Sequence, residues 1–139
     1  MRKALVLIAA LAALFAGATV AVAKTKHVAT TTTIAFAGTQ GPYGEFTNGT
    51  FSGQIFARAK CNRDRTVVVR KVVGGGVVGT TQSGHSGAWS VTSAVPVTPG
   101  QYMATVQKRV IKKKIKHGPR KGKRKRTVCE QAFQTGTAP

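Results

Sequence analysis

Twelve lysines and arginines fall between Lys108 and Arg126, and no acid interrupts them. Their dense part spans residues 112–126: Lys112, Lys113, Lys114, Lys116, Arg120, Lys121, Lys123, Arg124, Lys125 and Arg126. Such a run supports one kind of chemistry, salt-sensitive contact with a polyanion. Reading a nucleic-acid sequence needs base-edge contacts, and gripping a single strand needs stacking rings. No Phe, Tyr or Trp lies between Tyr102 and Phe133, so any nucleic-acid contact is expected to be non-specific. Catalysis has little to build on. His27, His85 and His117 lack zinc-ligand spacing, and His85-Ser86 beside Gly87 reads as a turn rather than a nucleophile with its base. Glu45, Asp64 and Glu130 come from separate elements and give no carboxylate pair. Gly74-Gly75-Gly76 lacks the Lys-Ser/Thr and the helix of a phosphate loop. The expectation is a non-enzymatic protein with no cofactor and no metal.

The N-terminus sets the compartment in which this charge is read. Met1-Arg2-Lys3 precedes an apolar run from Ala4 to Ala16, and Ala21-Val22-Ala23 offers an A-x-A cleavage site. Residues 1–23 therefore read as a secretory signal peptide with a signal helix, and the mature chain is expected to begin at Lys24. The alternative is a retained membrane anchor, since Ala4 to Val22 is nearly long enough to span. Without Arg2 and Lys3 the formal charge falls from +19 to +17. Three acids cannot neutralise that internally, so any partner is expected to be anionic. Two cysteines, Cys61 and Cys129, remain, and in an exported domain an even count reads as a disulfide. Two separate buried thiols are the alternative.

Short apolar runs must position these groups. Residues 24–50, rich in Thr, Gly and Ala, are expected to be flexible, with a first strand at Ala29–Phe36 and loop over Gly38–Gly49. Asn48-Gly49-Thr50 matches a glycosylation sequon but is better read as a turn. From Phe51 to residue 139 the pattern is strand after strand. Phe51, Gly53, Ile55 and Ala57 share a face, and Cys61-Asn62-Arg63-Asp64 forms a polar turn. Thr66–Val69, bounded by Arg65 and Arg70, suits a central strand. Val77–Thr81 and Ala88–Val91 follow, then a corner at Pro96, Pro99 and Gly100. Gln101–Ile111 reads as one long strand and Thr127–Phe133 as the last. Pairing these two as a hairpin would bring Val110 near Cys129 and project residues 112–126 as a basic ribbon or loop around His117-Gly118-Pro119. Trp89 and Tyr102 read as core.

The order of Phe51-Ser52-Gly53-Gln54-Ile55, Val78-Gly79-Thr80-Thr81, Gly87-Ala88-Trp89-Ser90-Val91 and Pro99-Gly100-Gln101-Tyr102 resembles the carboxypeptidase regulatory-like, or prealbumin-like, β-sandwich domains. The segment Cys61 to Val69, of the form C-x-x-x-R-x-V-x-V, together with Cys129, resembles a group of small exported actinobacterial proteins. The resemblance spans about residues 50–133 and implies a fold rather than a role. Where those domains carry Asp in the hairpin this chain has Gln82, which argues against a carboxylate calcium site. The three acids are too few and too poorly placed for an acid-assisted Lys–Asn isopeptide bond.

The expected architecture is all-β: a single Ig-like or prealbumin-like β-sandwich of about seven strands after the signal helix. The expected role is a secreted or cell-envelope binding or structural module whose cationic arm contacts an anionic envelope polymer or an anionic lipid surface. Alternatives are a membrane-active cationic effector using Ile111 and Ile115, and a non-specific extracellular nucleic-acid binder. The oligomeric state is left open.

Overall fold

A computed structural model describes residues 24–58 and 60–139. The expected signal peptide, residues 1–23, lies outside the described residues. Eleven strands follow in chain order: β1 (Thr25–Val28), β2 (Thr30–Thr32), β3 (Ala35–Gln40), β4 (Phe46–Ala57), β5 (Thr66–Lys71), β6 (Val77–Gln82), β7 (Ala88–Thr92), β8 (Gly100–Val106), β9 (Arg109–Lys114), β10 (Arg124–Cys129) and β11 (Ala132–Ala138). No helix occurs among the described residues.

Two sheets make the sandwich. One has the order β11-β8-β5-β6, with the β-branched run Val67-Val68-Val69 of β5 paired on both sides, as its composition predicts. The other is built on the twelve-residue β4. β2 and β3, joined end to end through Thr33 and Ile34, run along one side of β4, and β7 runs along the other. Period-two alternation turns Phe51 and Ile55 of β4 and Trp89 and Val91 of β7 inward. They meet Val67, Val69, Tyr102, Ala104 and Val106 from the facing sheet. Phe51 packs on the Tyr102 ring at 4.8 Å between centroids and on Phe36 at 4.9 Å. Trp89 Nε1 donates to Thr32 Oγ1 (3.2 Å), and Tyr102 Oη donates back to the carbonyl of Thr98 (2.6 Å), so both large polar aromatics are buried with their hydrogen bonds made. Gly53 is obligatory between Phe51 and Ile55: a Cβ there would sit 2.0 Å from the Thr33 carbonyl oxygen and 2.7 Å from the Trp89 ring.

The structure differs from the sequence reading in four places. Residues 24–50 supply β1, β2, β3 and the opening of β4 rather than a single strand, which accounts for much of the excess over seven strands. Their alternation is masked because small Thr, Ala and Gly residues pack where large apolar ones would signal a strand. Asn48-Gly49 is not a turn but an irregular point within β4: Asn48 takes φ 52°, while the chain reverses earlier, at Gly41–Glu45. Gln101–Ile111 is two strands, β8 and β9, interrupted at Gln107-Lys108. Thr127–Phe133 is likewise broken, at Glu130-Gln131, between β10 and β11. The two breaks lie opposite one another. There the long hairpin leaves the sandwich, and β9 and β10 join β1 in a separate sheet of order β1-β10-β9. β1 pairs parallel to β10, with Val28 against Cys129.

Candidate polyanion-binding ribbon

The joint between sandwich and ribbon is built around Arg65, the largest fully buried side chain among the described residues, with 0% exposure. No carboxylate faces it. Its Nε and Nη2 both donate to the Gln107 carbonyl (3.0 and 2.7 Å), and Nη2 also reaches the Glu130 carbonyl (2.8 Å). Nη1 donates to the Cys61 carbonyl and to Thr30 Oγ1. All five guanidinium N–H groups are thereby used. Gln107 and Glu130 are the positions where the β8–β9 and β10–β11 ladders break, so Arg65 accepts the job of satisfying carbonyls that the ladder gives up. Burial, with a smaller contribution from Arg109, pulls the guanidinium below its ordinary pKa.

Beside it Cys61 and Cys129 form the disulfide, with Cα atoms 5.3 Å apart. The bridge, Val28, Ala57 and Ile111 make a second small apolar cluster that fixes the base of the ribbon. Ile111 is thus committed to packing. Arg109 adds a further tie by donating to the Arg63 carbonyl (2.7 Å) and lying 3.5 Å from the Asp64 carboxylate. On the other flank His27 Nδ1 meets Glu130 Oε1 at 2.6 Å. That hydrogen bond, chiefly, holds the Glu130 carboxyl below its usual range against an opposing desolvation, with smaller help from the Lys108 and His27 charges.

Above this base the expected basic ribbon or loop is paired strand at residues 112–114 and 124–126, joined by a tip. Lys114 stands opposite Arg124, Lys113 opposite Lys125, and Lys112 opposite Arg126. Paired residues share a face, so Lys112, Lys114, Arg124 and Arg126 occupy one side, and Lys113 and Lys125 the other, with Ile111 and Thr127. Successive cations on one face are spaced by roughly 7 Å along a strand. Like charges placed directly opposite destabilise a sheet. Here three such pairs stand in sequence, and the only ion pairs among the described residues are His27–Glu130 and Arg109–Asp64 at the base. The tip, Ile115 to Lys123, is a tight reversal closed by Ile115 N–H to the Lys123 carbonyl (2.9 Å) and Gly122 N–H to the Ile115 carbonyl (2.9 Å). It carries Lys116, Arg120, Lys121 and Lys123, and Gly118 and Gly122 adopt φ 83° and 87° there. All ten predicted cations are exposed. A shallow concavity of about 440 Å³ lies between Lys113, Lys114, Lys116, Lys125, His117 and Ile115. The ribbon has an open edge at β9, and lysines on such an edge discourage pairing with another strand.

A second concavity, of about 630 Å³, opens at the foot of the ribbon between β1 and the outer face of β2 and β4. Lys26, Arg58, Phe56, Thr31, Gln54 and Asn62 are among its lining residues. Sequence reading passed over this groove because its residues come from three strands and two turns. Arg65 was likewise read only as the boundary of a strand, although the C-x-x-x-R-x-V-x-V pattern contains it. His85 lies in the β6–β7 turn and His117 at the ribbon tip, and no group of three His, Cys, Asp or Glu side chains among the described residues could hold a metal ion. No protein-family model, curated protein or solved structure matches the chain.

Proposed function

We propose that the protein is an exported, non-enzymatic binding module of the cell envelope or its surroundings, in which a β-sandwich holds a cationic ribbon against anionic polymers or an anionic lipid surface. The observation that carries this reading is the register of β9 and β10: Lys112, Lys113 and Lys114 face Arg126, Lys125 and Arg124 with no carboxylate among them. Repulsion that no internal acid relieves is relieved by an external anion, which converts a folding cost into binding free energy. The disulfide is consistent with an extracytoplasmic address. The Tyr102 hydroxyl bonded back to Thr98, at the start of a strand entering the core, supports an Ig-like or prealbumin-like reading of the sandwich. Commitment of Ile111 to the disulfide cluster weighs against a membrane-disrupting role, which would need it free to insert.

The test is binding to an anionic wall polymer and to duplex DNA across a salt series, beside a variant neutralised over residues 112–126. Steep salt dependence in the native protein, lost in the variant, is the expected result. Equal binding by the two proteins would refute the reading. Preference for the wall polymer over DNA would identify the envelope as the partner, and leakage of anionic vesicles would favour the membrane-active alternative.

A further inference from the structure

We infer that the groove at the foot of the ribbon is a binding site for an acidic saccharide residue, so that the ribbon's polymer is read there by its sugar as well as by its charge. The inference rests on the polyanion reading and names the ligand class that the ribbon alone leaves open. Phe56 is 56% exposed, and no buried cluster claims its ring. It stands on the outer face of β4, opposite exposed Thr31 of β2, which supplies a hydroxyl. Lys26 and Arg58 line the same groove, both exposed and neither in an ion pair. No carboxylate lines it.

The amides complete the set. Gln54 Nε2 and Asn62 Nδ2 both donate to the Ser86 carbonyl, which fixes their orientation because only the nitrogen end can face a carbonyl oxygen. Both side chains line the groove, and their amide oxygens remain free to accept. Acceptors for hydroxyl donors, cations for an anionic group and an apolar ring face for a sugar's C–H surface together describe a hydroxylated ring bearing a carboxylate or phosphate. Lys26 also shares the ribbon face of Thr127 and Ile111, the face of Lys113 and Lys125. A polymer lying on that face therefore runs directly into the groove.

The protein should be titrated with a uronic-acid oligosaccharide, with inorganic polyphosphate and with a neutral glucan oligosaccharide. Phe56→Ala is expected to weaken the uronate by about tenfold, the scale of one lost ring stack, while polyphosphate binding stays within about twofold of native, the scatter expected of a neutral surface change. Phe56→Tyr should restore uronate binding, and Arg58→Gln should weaken it by about fivefold, the worth of one cation near an anionic surface. Removing Lys113 and Lys125 together should weaken both anions. The inference is overturned if Phe56→Ala affects both anions alike or neither, or if the neutral glucan binds as well as the uronate. Polyphosphate binding without uronate discrimination removes the groove alone. Binding of neither anion by the native protein removes the ribbon reading with it.

Discussion

Replacing Arg65 by Met is the most demanding test of how the ribbon is attached. The substitution keeps roughly the reach of the aliphatic stem and removes the guanidinium with its five donors. Three backbone carbonyls, of Cys61, Gln107 and Glu130, then lose the guanidinium in a region that excludes water. A buried acceptor left unsatisfied costs about 1–3 kcal/mol, which puts the gross loss at roughly 3–9 kcal/mol. Against this, the folded state no longer buries an unpaired cation, and recovering its desolvation offsets several kcal/mol. A net destabilisation of about 2–4 kcal/mol follows, near the low end because Met packs where the aliphatic stem did. For a domain of this size that corresponds to a fall in Tm of about 8–20 °C. Arg65→Lys should be nearly as harmful, since one ammonium cannot reach the Gln107 and Glu130 carbonyls as a planar fork does. Differential scanning calorimetry gives the Tm, and hydrogen exchange locates the damage, which should appear at the amides of β9, β10 and β1 before those of β5 and β8. A Met variant as stable as the native protein would show that the desolvation cost equals the whole value of the hydrogen bonds, and the account of the joint would fail.

Two further outcomes bear on the same base. Cys61→Ser, or reduction of the native protein, should lower stability by about 4 kcal/mol, the chain-entropy value for closing a loop of this length. A melting curve indifferent to reductant would refute it. Glu130 has a folded-state pKa depressed below its unfolded value, so its stabilising contribution is present above the unfolded pKa and is lost as pH falls through the folded one. Native Tm should therefore drop more steeply than that of Glu130→Gln between about pH 5 and pH 3, a window set by the ordinary glutamate pKa. Parallel curves for the two proteins would exclude the His27–Glu130 contact as its source.

Elements whose signal is large side chains at regular spacing were legible in the sequence. Val67 to Val69, Trp89 with Val91 and Tyr102 lie where alternation places them, and the Cys61–Cys129 pairing followed from cysteine count and the expectation of export. The hairpin prediction put Val110 beside Cys129, and the register sets Val110 against Val128, one residue away. What escaped was information held by small or misleading residues. Ala29 to Phe36 reads as one strand but is β2 and the start of β3, interrupted at Thr33-Ile34, and Thr25 to Val28 looks unstructured because its residues fit a strand without announcing one. Gly38 to Gly49 reads as loop although half of it is sheet. The break at Gln107 is invisible locally, since its cause is an arginine 42 residues away whose charge makes it look exposed. The groove with Phe56 was hidden for the same reason: no local pattern records that Lys26, Phe56 and Asn62 come together.

The parallel pairing of β1 with β10 has a consequence in time. Val28 needs Cys129 as its neighbour, and Cys61 needs it as its covalent partner. At a synthesis rate of about 5–20 residues per second, the hundred or so residues between Val28 and Cys129 take on the order of 5–20 s to follow. Throughout that interval the first strand has no edge to join and Cys61 waits as a thiol. Strands β4 and β5 precede it in the chain, but the ribbon cannot be locked until Cys129 has arrived. Oxidation of this one bridge therefore reports that Cys129 has arrived: a chain truncated before it can neither form the bridge nor seat β1.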